Sequence, residues 1–139
     1  PDNIYFGEKD FQQLRIIENL VFEKKINTKV VRCETLREVD GLALSSRNSK
    51  LSFSSKKIAT NLFKALNFAK EKFSTLDNFE IEKKVTEKIK VHSEIKLYYF
   101  VIADEEKLEP SISGNNKKNR AFIAAYISGV RLIDNIKLY

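Results

Sequence analysis

The pattern of apolar and polar positions predicts strands alternating with a helix in the first part of the chain. NIYFG, residues 3–7, is a short β-prone run that ends at a glycine. From Lys9 onward, one helical face collects apolar residues: Phe11, Leu14, Ile17, Leu20 and Val21. TKVVRCE, residues 28–34, predicts a second strand. Strand, helix and strand in this order predict a βαβ unit with parallel strands.

Two further helices are predicted next. The first has Ser52 or Ser54 as its N-cap and an apolar stripe made of Ile58, Leu62, Ala65, Leu66, Ala69 and Phe73. The second begins at Asp77, with Glu80 at the capping-box spacing. Its apolar positions are Ile81, Val85 and Ile89.

The end of the chain predicts strands. KLYYFVIA (96–103) and RAFIAAYIS (120–128) are apolar and β-prone, and Gly129 separates the latter from VRLIDNIKLY. A polar loop, EPSISGNNKKNR, joins the first two. Because parallel sheets usually contain more than two strands, the βαβ unit predicts the end of a larger doubly wound domain. We expect the α/β class, with residues 1–35 belonging to that domain and 36–139 forming a small α+β domain of helices on a mainly antiparallel sheet.

Composition narrows the class of protein. The formal net charge of +6 favours anionic partners, either phosphate-bearing ligands or nucleic acid. The single cysteine, Cys33, excludes an internal disulfide and fits a reducing compartment. No run of about 20 apolar residues is present, and the first residues do not have the pattern of a signal peptide. We expect a cytoplasmic protein.

The first candidate site is the turn FGEKDFQQL, residues 6–14. Gly7 would let the main chain approach a ligand, and amides at the start of the next helix point outward, as in phosphate sites. Lys9 adds a positive charge, and Gln13 offers both a donor and an acceptor. If the helix begins here, Lys9, Asp10 and Gln13 share one face. A surface turn with a solvated lysine is the alternative, because the motif is short.

The second candidate site is DGLALSSRN, residues 40–48, which opens with Asp-Gly, a signal that predicts a turn. The hydroxyls of Ser45 and Ser46 and the guanidinium of Arg47 would bind the oxygens of a polyphosphate, with Arg47 offering a two-pronged contact. Such a contact stabilises charge on a leaving pyrophosphate. The alternative is a polar loop that leads into a capped helix.

For the other candidate residues we expect ordinary structural roles. His92 has no metal-ligand spacing around it, and Cys33 is expected to be buried by packing. NNKKNR (115–120) is expected to be a solvated turn, with nucleic-acid binding as the alternative. The aromatic residues Tyr98, Tyr99 and Phe100 are expected to form strand core.

Three stretches together resemble the pantoate–β-alanine ligase family, the pantothenate synthetases. They are PDNIYFGEKDFQQL, LREVDGLALSSRN and GVRLIDNIKL. The resemblance implies ATP-dependent condensation of pantoate with β-alanine through a pantoyl-adenylate, in pantothenate and coenzyme A biosynthesis. It implies ATP and Mg²⁺ as cofactors. It also implies membership of the nucleotidyltransferase superfamily related to class I aminoacyl-tRNA synthetases, with a Rossmann-like nucleotide-binding domain that ends in this βαβ unit.

The same resemblance implies roles for individual residues. The ATP site would include Gly7, Glu8, Lys9 and Asp10, with Lys9 on the phosphates and Gln13 on pantoate. Leu36 would contact the adenine through its main chain.

A further implied group corresponds to the family's counterpart of the synthetase KMSKS loop. Its members are Leu44, Ser45, Ser46 and Arg47. Leu44 stands where some members have methionine, which is a volume-conserving exchange. Catalytic roles are implied for Lys9, Ser45, Ser46 and Arg47.

The chain departs from the family pattern because it contains no His-x-Gly-His motif, and His92 does not replace that motif. The resemblance implies that the motif and the magnesium ligands belong to an N-terminal half. We therefore expect this chain to carry part of an active site and to be inactive alone, and the full-length enzyme to be a homodimer without nucleic-acid or membrane partners. A non-catalytic basic binding module and a different acid-activating nucleotidyltransferase remain the alternatives.

Overall fold

The computed structural model describes residues 1–112 and 118–139. In chain order the elements are strand β1 (Asn3–Gly7), a 3₁₀ turn (Glu8–Asp10), helix α1 (Phe11–Glu23), strand β2 (Lys29–Cys33), a second 3₁₀ turn (Ser46–Lys50), helix α2 (Phe53–Lys72), helix α3 (Asn78–Lys90), and strands β3 (Ile95–Asp104), β4 (Asn119–Ile127) and β5 (Val130–Lys137). The chain divides into two compact units, unit 1 (Pro1–Leu36) and unit 2 (Arg37–Tyr139).

Unit 1 is a βαβ arrangement. Strands β1 and β2 pair in parallel, with Gly7 opposite Cys33. Helix α1 buries Phe11 and Leu14, the first two residues of its predicted apolar stripe. The Arg32 side chain, on β2, donates to both carboxylate oxygens of Glu18 on α1, at 2.6 and 2.8 Å. A strand and a helix of unit 1 are therefore joined by an ion pair as well as by apolar packing.

Unit 2 is a three-stranded antiparallel sheet covered by two helices. Its strand order is β3–β4–β5, so that β4 is central. Ser128 and Gly129 both have positive φ and close the two-residue turn between β4 and β5, a backbone that matches strand twist. The α/β class with a parallel pair and a separate antiparallel sheet with helices is confirmed.

The core of unit 2 lies between α2, α3 and the sheet. Both helices begin at predicted caps: Ser52 Oγ accepts from the Ser55 amide, and Asp77 Oδ1 accepts from the Glu80 amide. The predicted stripes supply most of the buried helical residues, which include Leu62, Ala65, Leu66, Ala69, Ile81, Val85 and Ile89. Helical periodicity therefore identified the faces that pack on the sheet.

Three expectations about single residues are wrong. Tyr98 is 64% exposed, because it lies at an irregularity of β3 and its ring packs on the outer side against Tyr126 at 6.2 Å between centroids. Cys33 is only partly buried, since no residue of the strand β2 is fully covered. Arg120 is 2% exposed.

Arg120 was expected both at the end of a solvated turn and at the start of a strand. It lies in β4, as the strand prediction has it, and it is buried rather than solvated. Its Nε donates to Glu105 Oε1 at 2.6 Å, and its Nη1 donates to Asn135 Oδ1 at 2.6 Å. A guanidinium with a carboxylate and an amide as partners is stable away from water. Residues 115–117 of NNKKNR lie outside the described residues.

Among the residues that the structure describes, no helix combines the length and the apolar character needed to cross a membrane.

Candidate functional site

The predicted site residues fall into two groups, and the first lies at the carboxyl end of β1. Gly7 is the last residue of that strand and has φ −71° and ψ 134°, which any residue adopts. A Cβ built on Gly7 would have no atom within 4 Å. The fold of the described residues therefore does not itself require glycine at this position, and close approach of a ligand stays a prediction.

The 3₁₀ turn after Gly7 delays the start of the helix. Helix α1 begins at Phe11, two residues later than the sequence predicts, and Asp10 is its N-cap without a side-chain capping bond. Asp10 and Gln13 are exposed, Lys9 is partly buried and Glu8 is buried. The exposed carboxylate and amide lie at the helix N-terminus, where main-chain amides carry partial positive charge.

The second group begins at a tight turn. The Glu38 amide donates to the Leu42 carbonyl at 2.8 Å, and the Gly41 amide donates to the Glu38 carbonyl at 2.9 Å. Gly41 has φ +92°, a conformation that disfavours side chains, so the predicted Asp-Gly turn is confirmed. Arg37 pairs with Ala43 across this turn. The turn places Leu42 and Ala43 in buried positions and leads into the polar residues that follow.

Ser45 begins the second 3₁₀ turn as its N-cap. Its Oγ accepts a hydrogen bond from the Arg47 amide at 3.2 Å, and its carbonyl accepts from the Asn48 amide at 3.0 Å. Ser46 and Arg47 are exposed, and Leu44 is 44% exposed. The hydroxyl of Ser46 and the guanidinium of Arg47 thus stand on an ordered turn with access to solvent.

Arg47 is also attached to the sheet. Its Nη1 donates to the main-chain carbonyl of Arg131, on β5, at 3.2 Å. A single contact of this kind uses one of the five N–H groups of a guanidinium, so the others can bind an anion. The arrangement combines a restrained cation with a hydroxyl on the same turn.

Asn48 supports the turn from inside. It is 6% exposed, and its Nδ2 donates to the Ala43 carbonyl at 3.1 Å. Its Oδ1 is buried and accepts no hydrogen bond from the described part of the chain. Sequence reasoning did not single out Asn48, Arg37 or Arg131, because their partners are set by the fold. For Asn48, the only signal in the sequence is its place at the end of the candidate segment DGLALSSRN.

Other predicted features have no part in either group. Leu36, the last residue of unit 1, is 72% exposed. One surface cavity, of about 320 Å³, is lined by His92 with residues of α2 and α3, and another, of about 720 Å³, lies against the second half of α1 and the start of β2. Neither cavity is lined by a predicted site residue. Over residues 1–112 and 118–139, no three His, Cys, Asp or Glu side chains are grouped to hold a metal.

Comparison with known proteins identifies relatives along the whole chain. The pantothenate synthetase of Flavobacterium psychrophilum is 46% identical over 139 residues, which are 99% of this chain and 49% of that protein. The pantothenate synthetase of Christiangramia forsetii is 45% identical, with the same shares covered. The chain therefore spans about half the length of these relatives.

Solved structures of proteins in the same group of relatives also match the fold of this chain. Pantothenate synthetase from Thermus thermophilus matches with a TM-score of 0.93 at 36% identity, over 100% of this chain and 50% of that one. Pantoate-beta-alanine ligase from Francisella tularensis, complexed with beta-gamma ATP and beta-alanine, matches with a TM-score of 0.67 at 37% identity, over 99% of this chain and 44% of that one. The sequence model of the family described as pantoate-beta-alanine ligase matches residues 1–137. This chain belongs to the pantoate–β-alanine ligase family.

Proposed function

We propose that this chain contributes part of the active site of an ATP-dependent ligase that joins pantoate to β-alanine. In this proposal residues 1–35 complete a Rossmann-like domain that binds ATP and pantoate, and residues 36–139 form a lid domain. Family membership over residues 1–137 supports the reaction class. The Ser45–Arg47 turn is the observation that carries the assignment of a phosphate-binding role, because it presents a hydroxyl and a restrained guanidinium to solvent.

The reaction has two steps. A carboxylate oxygen of pantoate attacks the α-phosphorus of ATP, and the bond from that phosphorus to the bridging oxygen of pyrophosphate breaks. The amine of β-alanine then attacks the acyl carbon of the pantoyl-adenylate, loses a proton, and expels AMP. Negative charge develops on pyrophosphate in the first step, and fixed cations aimed at that charge lower the barrier.

Ser45, Ser46 and Arg47 would bind that charge. The Ser45 oxygen accepts from the Arg47 amide, which sets the turn and leaves the Ser45 O–H to donate to a phosphate oxygen. Ser46 supplies an exposed hydroxyl, and Arg47 supplies the exposed cation. Leu44 would pack beside the nucleotide, since it is part of the same segment and is 44% exposed.

The first group would hold the other substrate and the remaining phosphates. Lys9 would neutralise phosphate charge, and the exposed amide of Gln13 would bind the hydroxyl or carboxylate of pantoate. Gly7 and the buried Glu8 would contact ATP through their main chain. Asp10, exposed at the helix start, would bind the ribose or its water shell, and Leu36 would contact the adenine through its main chain.

Magnesium is part of the proposed reaction, but the described residues have no cluster of ligands that fits it. We therefore assign no step of this chain's residues to a metal. We further propose that the full-length enzyme is a cytoplasmic homodimer. We also propose that this chain alone is inactive, because the chain spans about half the length of its relatives.

The test uses a chimaera in which this chain replaces the matching segment of the Flavobacterium psychrophilum relative. We expect the chimaera to release pyrophosphate from ATP when pantoate is added, and to release AMP and form pantothenate when β-alanine follows. The 139-residue chain alone should do neither. A folded chimaera without pantoate-dependent pyrophosphate release would overturn the proposal, provided that the intact relative is active in the same assay.

Two further arms separate the alternatives. Replacing pantoate with other small carboxylates tests whether a different acid is activated. Salt-dependent binding of the chain to generic single-stranded RNA would instead support a basic nucleic-acid-binding module.

A further inference from the structure

A bidentate ion pair fastens the start of the site segment to the sheet. The Nη1 of Arg37 donates to Asp134 Oδ2 at 2.6 Å, and the Nη2 donates to Asp134 Oδ1 at 2.9 Å. The side chains are 19% and 5% exposed, and Asp134 lies on β5. Two parallel charge-assisted hydrogen bonds fix both the distance and the orientation of a guanidinium.

The same guanidinium reaches the turn that precedes the serines. Its Nη1 also donates to the Gly41 carbonyl at 3.0 Å, and its Cζ lies 4.0 Å from the centre of the Phe63 ring. Arg37 therefore connects β5, helix α2 and the turn at Gly41. Removing it would take away the hydrogen bonds that connect the turn to β5 through Arg37.

Hydrogen bonds continue from this turn to the predicted phosphate contacts. Asn48 Nδ2 holds the Ala43 carbonyl, Ser45 accepts from the Arg47 amide, and Arg47 returns to β5 at the Arg131 carbonyl. Both ends of the segment 37–47 are thus anchored on one strand, by Arg37 at Asp134 and by Arg47 at Arg131. The orientation of the segment depends on β5.

We propose that Arg37 and Asp134 are positioning residues that hold the segment 44–47 in the geometry that grips the phosphates of ATP. The inference rests on the proposed function for its catalytic consequence, but the holding role depends only on contacts within unit 2. Neither residue touches a substrate in this proposal.

A loosened segment would lower the rate more than it lowers substrate binding. Displacement of a catalytic contact by about 1 Å can cost on the order of 100-fold in rate. For Asp134→Asn we expect kcat for pantoyl-adenylate formation to fall by about tenfold or more, while KM for pantoate changes by less than about threefold.

The matched control is Glu105→Gln. Glu105 and Asp134 are both buried carboxylates, each 5% exposed, and each accepts from an arginine in the same unit. Both substitutions exchange a carboxylate for an isosteric amide. Asp134 accepts from Arg37, at the start of the segment 37–47, whereas Glu105 accepts from Arg120, on β4. Arg37→Lys keeps the positive charge but loses the guanidinium that makes two parallel hydrogen bonds. It should therefore lower the rate of adenylate formation by an intermediate amount.

The first readout is hydrogen exchange of the Arg47 and Asn48 amides in the chain alone, followed by NMR. We expect Asp134→Asn to speed this exchange at least about tenfold more than Glu105→Gln does, under conditions where both variants are folded. The second readout is single-turnover adenylate formation in the chimaera, where only Asp134→Asn should lower the rate.

The exchange data and the adenylation rate test the holding role, its catalytic consequence and the proposed function separately. Equal exchange in the two variants overturns the holding role, whatever the chimaera does. Faster exchange with an unchanged single-turnover rate of adenylate formation overturns the catalytic consequence. A wild-type chimaera without adenylate formation overturns the proposed function instead, while the exchange data still decide whether Arg37 and Asp134 hold the segment.

Discussion

The Phe63 ring lies against the α-carbon of Gly41, so that a Cβ at Gly41 would be 2.3 Å from Phe63 Cδ1. Gly41 also has φ +92°, which disfavours side chains. The same Phe63 ring lies under the Arg37 guanidinium. Packing, backbone conformation and an ion pair therefore meet at one turn, immediately before the predicted phosphate contacts.

Gly41→Ala should lower the free energy of unfolding by about 1–3 kcal/mol, because the added methyl overlaps an aromatic ring and strains the backbone. Urea denaturation of the chain measures this change. Gly7→Ala is the control, since its Cβ would have no atom within 4 Å and its φ is −71°. Equal stability of the two variants would contradict the role assigned to the turn.

Removal of the Glu105 carboxylate should leave the buried positive charge of Arg120 without the carboxylate that Glu105 supplies. We expect Glu105→Ala to cost about 3–5 kcal/mol of unfolding free energy. The double variant Glu105→Leu, Arg120→Met should recover much of the loss, because it removes both charges from the interior. Glu109→Ala, at an exposed neighbouring position, should change stability by less than about 0.5 kcal/mol. A single variant as stable as the double variant would show that Arg120 finds another partner.

The Glu18 ion pairs should make stability depend on pH. Burial raises the pKa of Glu18, but hydrogen bonds from Arg32 and Arg15 outweigh it and hold the pKa below its ordinary value of 4.5. A lowered folded-state pKa contributes stability above pH 4.5, and that contribution is lost as the pH falls through the folded-state pKa.

Glu18→Gln should therefore be less stable than the wild type at neutral pH, with the difference shrinking as the pH falls below about 4.5. Urea denaturation from pH 7 to pH 3 measures the difference. Glu23→Gln, on the exposed end of the same helix, controls for the loss of a negative charge. A stability difference that is constant over this pH range would rule out the linkage.

Arg47→Ala and Lys9→Ala should each lower pantoyl-adenylate formation in the chimaera by more than about tenfold, because each removes a cation proposed to bind the phosphates. Single-turnover release of pyrophosphate measures the step. Lys50→Ala, an exposed cation at the end of the same 3₁₀ turn as Arg47, should change the rate by less than about twofold. Unchanged adenylation in Arg47→Ala or Lys9→Ala would remove the role assigned to that residue.

The sequence predicted those features of the elements that depend on interactions within a few residues, such as helix faces and helix caps. The helical spacing of Leu62, Leu66 and Ala69 identified the buried face of α2, and Asp77 was correctly predicted as a cap. Between Ser52 and Ser54 the sequence could not choose, since both are residues of the type that caps helices and both stand near the predicted start. Helix α2 begins at Phe53, so Ser54 lies within it. The geometry favours Ser52, whose oxygen accepts from the Ser55 amide.

The start of α1 shows where such signals fail. Apolar periodicity placed the helix start at Lys9, but a 3₁₀ turn occupies Glu8–Asp10 and α1 begins at Phe11. The two kinds of helix differ by one residue in hydrogen-bond spacing, which an apolar pattern does not resolve. The proposed shared face of Lys9, Asp10 and Gln13 therefore depends on a boundary that the sequence could not define.

The sequence by itself determined the order of the main helices and strands, the Asp77 cap, the Asp-Gly turn and the motifs that indicate the pantoate–β-alanine ligase family, because each depends on neighbouring residues. Only the tertiary structure decided that Arg120 is a buried ion-pair partner, that Tyr98 is exposed, and that Arg37 meets Asp134. Those contacts join residues far apart in the chain, and no local pattern encodes the strand register and helix packing that bring them together.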